Sequence, residues 1–233
     1  MCTVSFIPLQ NGFLLTSNRD EKSYRPTIPP QVYAENGIQL LYPKDEKAGG
    51  TWIVARNDGT SIVLLNGAFI NHIKLPNYSK SRGVILMEII QAKFPLLYFQ
   101  ELNLENVEPF TLIIFQLNTL TEVKWDGNDK HTFEKSIKKP HIWSSATLYN
   151  RKQKNYRKQW FDEFCRSNTP LSIEKTLLFH STTQSNNTEY GLVINREDKT
   201  KTVSITQLLL RNNKVEMIYI DRISNETIEK ISF

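Results

Sequence analysis

The sequence predicts an α+β protein whose strands pair mainly antiparallel. Three observations carry this. Short apolar runs recur along most of the chain, two of the gaps between them hold Asn-Gly or Asp-Gly turn signals, and only three segments show helical spacing. Connections this short favour antiparallel pairing, because a parallel crossover needs about a dozen residues or more.

The first two runs, residues 3–8 and 12–17, are separated by Gln10-Asn11-Gly12, so the chain doubles back at once and brings residues 18–21 toward its beginning. A second hairpin is predicted from residues 51–56 and 61–65 across Asn57-Asp58-Gly59-Thr60. Further strands are predicted at residues 110–117, 121–125, 142–147, 190–195, 201–206 and 214–221. Helices are predicted at residues 81–93, capped by Ser81 and stopped by Pro95, at residues 150–166, and at residues 172–179. The second helix aligns Tyr156, Trp160, Phe161 and Phe164 on one face, with Cys165 beside them as a core residue. No repeat, low-complexity stretch or linker divides the chain, so residues 1–233 read as one domain.

Composition sets the context. With 39% hydrophobic and 23% charged residues the chain reads as an ordinary soluble domain. No signal-peptide pattern and no membrane-spanning apolar run is present, so the expected location is cytoplasmic. Two cysteines, Cys2 and Cys165, suit a reducing compartment and give no disulfide framework. His72, His141 and His180 lack metal-ligand spacing, and no metal or other cofactor is expected. Part of the net charge of +5 is concentrated in Arg151, Lys152, Lys154, Arg157 and Lys158, which read as a solvated helix face open to an acidic ligand or peripheral contact with a membrane surface. No recognition motif or aromatic stripe supports nucleic-acid binding. Oligomeric state is left open.

The residues that carry chemistry lie near the beginning. Removal of Met1 would place the thiol and a free α-amine of Cys2 on the same few atoms, joining nucleophile and base in one residue. An α-amine titrates near ~7.7 to 8.0 and accepts a thiol proton readily. Arg19 is the cation that would lower the thiol pKa, and Asp20 would hold Arg19 or the amine in place.

Met1-Cys2-Thr3-Val4, Asn18-Arg19-Asp20-Glu21 with Tyr24-Arg25-Pro26-Thr27, and Gly49-Gly50-Thr51-Trp52 together resemble the NRDE family, which includes the transport-and-Golgi-organisation 2 homologues. That family in turn resembles the N-terminal-nucleophile cysteine hydrolases of the choloylglycine hydrolase and penicillin V acylase group. The resemblance implies a four-layer αββα sandwich and cleavage of linear amides by an exposed N-terminal cysteine. It matches Asp20 to the acid at the end of the second strand and Asn66, in Leu64-Leu65-Asn66-Gly67, to an oxyanion-hole residue. Ser145 falls where those enzymes carry a second asparagine, and Arg196 falls in a region where the family often has an arginine. In the amidases the arginine stands a few residues before the acid, whereas Arg19 immediately precedes Asp20. Alternation along a strand turns such neighbours to opposite faces.

The expected catalytic residues are therefore Cys2, Arg19, Asp20 and Asn66, with Asn18, Trp52, Ser145 and Arg196 as substrate contacts. The expected ligand is a small-molecule amide or acyl compound. Two readings stay open: a cysteine amidohydrolase acting on a non-peptide C–N bond, and a non-enzymatic carrier of an acyl thioester, lipid or haem on the same scaffold. The second draws on Ser145 in place of asparagine and on the basic helix.

Overall fold

The computed structural model describes residues 3–224 and 226–233. The elements run β1 (Thr3–Leu9), β2 (Gly12–Lys22), β3 (Thr27–Glu35), β4 (Ile38–Asp45), β5 (Ile53–Arg56), β6 (Ser61–Asn66), α1 (Arg82–Gln91), α2 (Pro95–Glu101), β7 (Phe110–Gln116) and β8 (Thr119–Trp125). They continue with β9 (Lys130–Lys135), β10 (His141–Ser144), α3 (Arg151–Ser167), α4 (Ile173–Thr182), β11 (Thr200–Arg211), β12 (Lys214–Asp221) and β13 (Thr227–Ser232). The strands form a six-stranded sheet, β10-β1-β2-β11-β12-β13, and a seven-stranded sheet, β3-β4-β5-β6-β7-β8-β9. Neighbouring strands pair antiparallel throughout both sheets.

The order of layers follows from side-chain alternation. Val4, Phe6, Phe13 and Leu15 of the first sheet meet Leu41, Ile53, Ala55, Val63 and Leu65 of the second, filling the space between them. On β6 the alternate residues Ile62 and Leu64 face outward and pack with Ile85, Leu86, Ile89 and Ile90 of α1 and Phe99 of α2. On the far side Ile7, Leu14 and Leu209 pack with Phe161 of α3 and Phe179 of α4. The result is helix, sheet, sheet, helix. Both faces of each sheet are covered, which is why β6 and β7 are almost continuously apolar. No helix among the described residues is long and apolar enough to cross a membrane.

Several elements depart from the sequence expectation for local reasons. β3 and β4 form a hairpin across Asn36 (φ 51°) and Gly37 (φ 78°), the positive-φ pair that suits a tight hairpin turn. Pro29 and Pro30 mask β3 in the sequence; the strand lies at the sheet edge and carries an irregularity between Ile28 and Gln31, where prolines cost no ladder hydrogen bond. Pro95, read as a stop, instead starts α2, where its missing N–H has no helical partner to lose. Residues 190–195 form no strand beyond an isolated bridge between Asn195 and Lys201. β9 and β13 were missed because polar edge strands lack a clean alternation.

Helix α4 is attached to the first sheet by polar contacts. The Asn18 amide donates to the carbonyls of His180 (3.1 Å) and Leu192 (2.6 Å), leaving Asn18 Oδ1 to accept from His180 Nδ1 at 2.5 Å. His180 Nε2 then accepts from the Ser5 hydroxyl at 2.7 Å. All three residues are fully buried. This arrangement needs a neutral imidazole, and burial, aided by the nearby Arg157 charge, pushes the His180 pKa down to about 3.

The unfolded chain takes up a proton at His180 below about pH 6.5, while the folded chain refuses it until about pH 3. Stability is therefore unaffected above that window and falls within it as pH drops, with a slope approaching about 1.4 kcal/mol per pH unit from this residue. Urea denaturation from pH 7 to pH 4 should show the loss, and His180→Gln should flatten it.

Candidate active site

Arg19 lies on the face of β2 that looks toward the second sheet. Its Nη2 donates to Asp45 Oδ2 at 2.5 Å, its Nη1 to Thr27 Oγ1 at 2.6 Å, and its guanidinium sits 4.5 Å from the Trp52 ring centre. The Arg19 side chain is 2% exposed and that of Asp45 is 10% exposed. Burial draws the Arg19 pKa below its ordinary value, opposed chiefly by the charge of Asp45. Arg25 Nε also reaches Asp45 Oδ2 (2.7 Å), and Arg25 Nη1 reaches Glu21 Oε2 (3.1 Å). The two neighbouring sequence motifs around residues 18–21 and 24–27 thus form one ion-pair network, anchored on the last residue of β4.

The glycines of the third motif serve a close approach. A Cβ on Gly50 would fall 2.4 Å from the carbonyl carbon of Gly83, and one on Gly83 would fall 2.8 Å from Thr51 O. Backbone therefore rests on backbone where residues 50 and 51 meet the first turn of α1. Thr51 Oγ1 donates to Pro43 O at 2.5 Å, and Trp52, 1% exposed, enters the core between the sheets. Its Nε1 has no hydrogen-bond partner among the described residues.

A cavity of about 230 Å³ opens here, lined by Arg19, Glu21, Arg25, Asp45, Thr51, Trp52, Asn66, Lys74, Arg82 and Glu108. Arg82 Nη2 pairs with Glu108 Oε2 at 3.0 Å, and His72 Nε2 lies 3.2 Å from Glu108 Oε1. Burial lowers the Arg82 pKa, with Glu108 acting against it. Asn66 ends β6. Its carbonyl accepts from Ala146 N (3.1 Å) and from Ser145 Oγ (2.9 Å). Ser145 is fully buried, and its hydroxyl is engaged in fixing this strand end.

Asp20 faces the opposite side of β2, toward α3. Its carboxylate accepts from Tyr149 OH at 2.8 Å and from Thr202 Oγ1 at 2.5 Å. Two cations approach the Tyr149 ring, with Arg157 Cζ 3.6 Å and Arg196 Cζ 5.3 Å from its centre. Arg196 Nη2 also donates to Leu148 O (3.1 Å) and Glu189 O (2.7 Å). Arg157 is fully buried and donates to Thr3 Oγ1 and to the carbonyls of Tyr190 and Gly191. It is thus separated from the solvated face on which its basic neighbours lie.

The structure accordingly brings Arg19, Trp52 and Asn66 together around one cavity and places Asp20 and Arg196 in a second cluster across β2. Asn18 is directed to α4, and Ser145 supports Asn66 from behind. Cys2 lies outside the described residues. Sequence reasoning missed Asp45, Arg82, Glu108 and Tyr149. Asp45 closes a strand hidden by the β3 prolines, and the others lie far from any motif. Cys165 packs among the apolar residues under α3, and burial pushes its thiol up to about 11, well away from a reactive value.

The family described as Transport and Golgi organisation 2 matches residues 1–226. Among solved structures, the Caenorhabditis elegans N-acylethanolamine-hydrolyzing acid amidase ortholog is similar at TM-score 0.62 and 12% identity, over 89% of this chain and 92% of that one. A variant of conjugated bile acid hydrolase from Clostridium perfringens is similar at TM-score 0.55 and 10% identity, over 99% of this chain and 92% of that one. At these identities the likeness establishes a shared fold. No curated protein matches the sequence.

Two substitutions test the architecture of the cavity. Asp45→Asn leaves Arg19 and Arg25 without their shared counter-charge and should destabilise the protein by roughly 3–5 kcal/mol in chemical denaturation. Gly50→Ala should cost about 1–3 kcal/mol by forcing α1 away from the cavity wall, whereas Gly37→Ala, in open space, should show only the smaller strain of its positive φ.

Proposed function

The chain belongs to the Transport and Golgi organisation 2 family, and from its N-terminal-nucleophile hydrolase fold we propose that it is a cysteine amidohydrolase cleaving a non-peptide C–N bond in a small linear amide. The observation that carries the reading is the convergence of Arg19, Trp52 and Asn66, from three separate sequence motifs, on one cavity. In this reading residues 1–233 act as a single domain in the cytoplasm.

After loss of Met1, the Cys2 thiol gives its proton to its own α-amine and attacks the substrate carbonyl. The tetrahedral oxyanion is met by Asn66 together with backbone N–H groups. As the intermediate collapses, the ammonium returns the proton to the departing amine and an acyl thioester remains on Cys2. Water, deprotonated by the same amine, then releases the acid and restores the thiol. Asp20, held by Tyr149 and Thr202 on the face of β2 opposite the cavity, is in this reading the acid that orients the amine from across the strand. Arg19 supplies positive potential, and the Trp52 ring forms part of the cavity wall.

A second reading, a carrier that binds an acyl thioester, lipid or haem without turnover, is favoured by one observation. The Ser145 hydroxyl is committed to the Asn66 carbonyl, which leaves the oxyanion site one side-chain donor short of the amidase pattern.

For the hydrolase reading, intact-mass analysis should show loss of one methionine. A screen of N-acyl amides should then give turnover that falls at least about a hundredfold in Cys2→Ala while the variant keeps its melting temperature. Undiminished turnover in Cys2→Ala rejects the mechanism. Saturable binding of acyl-CoA or haem with no hydrolysis of any amide transfers support to the carrier.

A further inference from the structure

The segment joining β6 to α1, residues 67–81, contains no helix or strand, which is long for a connection inside a compact fold. It presents large apolar side chains to solvent: Ile73 is 91% exposed, Ile70 79%, Leu75 53% and Phe69 44%. Single exposed apolar residues are ordinary, but four within seven positions mark a contact surface. The segment contains no Asp or Glu, and it carries Lys74 and Lys80.

A second stretch of chain without acidic residues adjoins it. From Arg151 to Phe161 helix α3 contains Arg151, Lys152, Lys154, Arg157 and Lys158 and no acidic residue. Lys154 Nζ contacts Phe69 O at 3.4 Å, and Lys124 Nζ donates to Ala68 O at 2.9 Å while lying 4.9 Å from the Phe69 ring centre. Arg151 and Lys152 are exposed. The Phe69 end of the apolar tip is thus bordered by the basic side chains of Lys124 and Lys154, while Ile73 and Leu75 share a groove with Glu105 and Asp126.

We propose that residues 69–75, with the exposed basic residues of α3, form a docking surface for an anionic lipid bilayer. Ile70, Ile73 and Leu75 enter the boundary between headgroups and acyl chains, and Lys74, Arg151 and Lys152 meet lipid phosphates and carboxylates. The charge pattern separates this occupant from a protein partner, because protein interfaces are depleted in lysine, whereas an apolar tip flanked at one end by exposed basic side chains complements an anionic membrane. Lys74 also lines the 230 Å³ cavity, and Phe69 and Lys154 line a neighbouring one of about 280 Å³. Docking therefore sets both openings close to the lipid. The surface stands independently of the chemistry proposed for Cys2.

Co-sedimentation of the whole protein with vesicles of phosphatidylcholine alone, or with roughly a third phosphatidylserine, tests the assignment. The expected result is binding to the anionic vesicles that weakens with added salt, and that falls at least about tenfold in Ile70→Asp/Ile73→Asp and in Arg151→Glu/Lys152→Glu. Either variant pair alters exposed side chains only, and far-ultraviolet circular dichroism should confirm an unchanged fold. Failure of the native protein to sediment with anionic vesicles overturns the proposal. So does equal binding by the Ile70→Asp/Ile73→Asp variant, or a light-scattering dimer that this variant abolishes in the absence of any vesicle binding.

Discussion

The buried pairing of Arg19 with Asp45 organises the protein around its cavity. It crosses from β2 in one sheet to the end of β4 in the other, and it joins the two at a place where apolar packing gives way to polar side chains. A guanidinium with 2% exposure carries a large desolvation penalty, which is offset only by complete engagement. Asp45, Thr27 and the face of Trp52 provide that engagement. Arg25 shares the same carboxylate, so the turn after β2 is tied to the same point. Three stretches that look like separate motifs in the sequence are therefore one electrostatic unit in space.

The sequence conveyed the sandwich unevenly. The hairpins across Asn11-Gly12 and Asp58-Gly59 and the doubly buried strands β6 and β7 were readable because both signals are local: a turn residue with a positive φ, or a run with no solvent face. The Asn36-Gly37 hairpin, by contrast, was hidden by the prolines of its first strand. Edge strands such as β3 and β9 were not readable, since one bears two prolines and the other is polar, and their pairing is decided by neighbours distant in the chain. The four layers followed from resemblance, because no periodicity within one segment says which sheet a strand joins.

The candidate site was legible where residues share a motif and obscure where they do not. Arg19, Trp52 and Asn66 could be named from three motifs, but Asp45, Arg82 and Glu108 could not, since ion pairing across the fold leaves no spacing to read. Arg157 shows the converse. In the chain it is one of five basic residues and looks solvated; in the structure it is sealed beneath Tyr149 and bonds to Thr3. Charge runs report composition, while burial depends on which turn of a helix meets the sheet.

Strand β2 separates two kinds of chemistry by a single peptide unit, with the Arg19 guanidinium on one side and the Asp20 carboxylate on the other. Their separation depends on strand phase alone. A one-residue insertion or deletion upstream in β2 would exchange cation and anion between the layers, placing each among groups arranged for the other. Length variation should therefore accumulate in the 67–81 connection and be excluded from residues 12–20, even where the substituted side chains themselves are harmless. What lineages must keep at this strand is a count of residues as well as their identities.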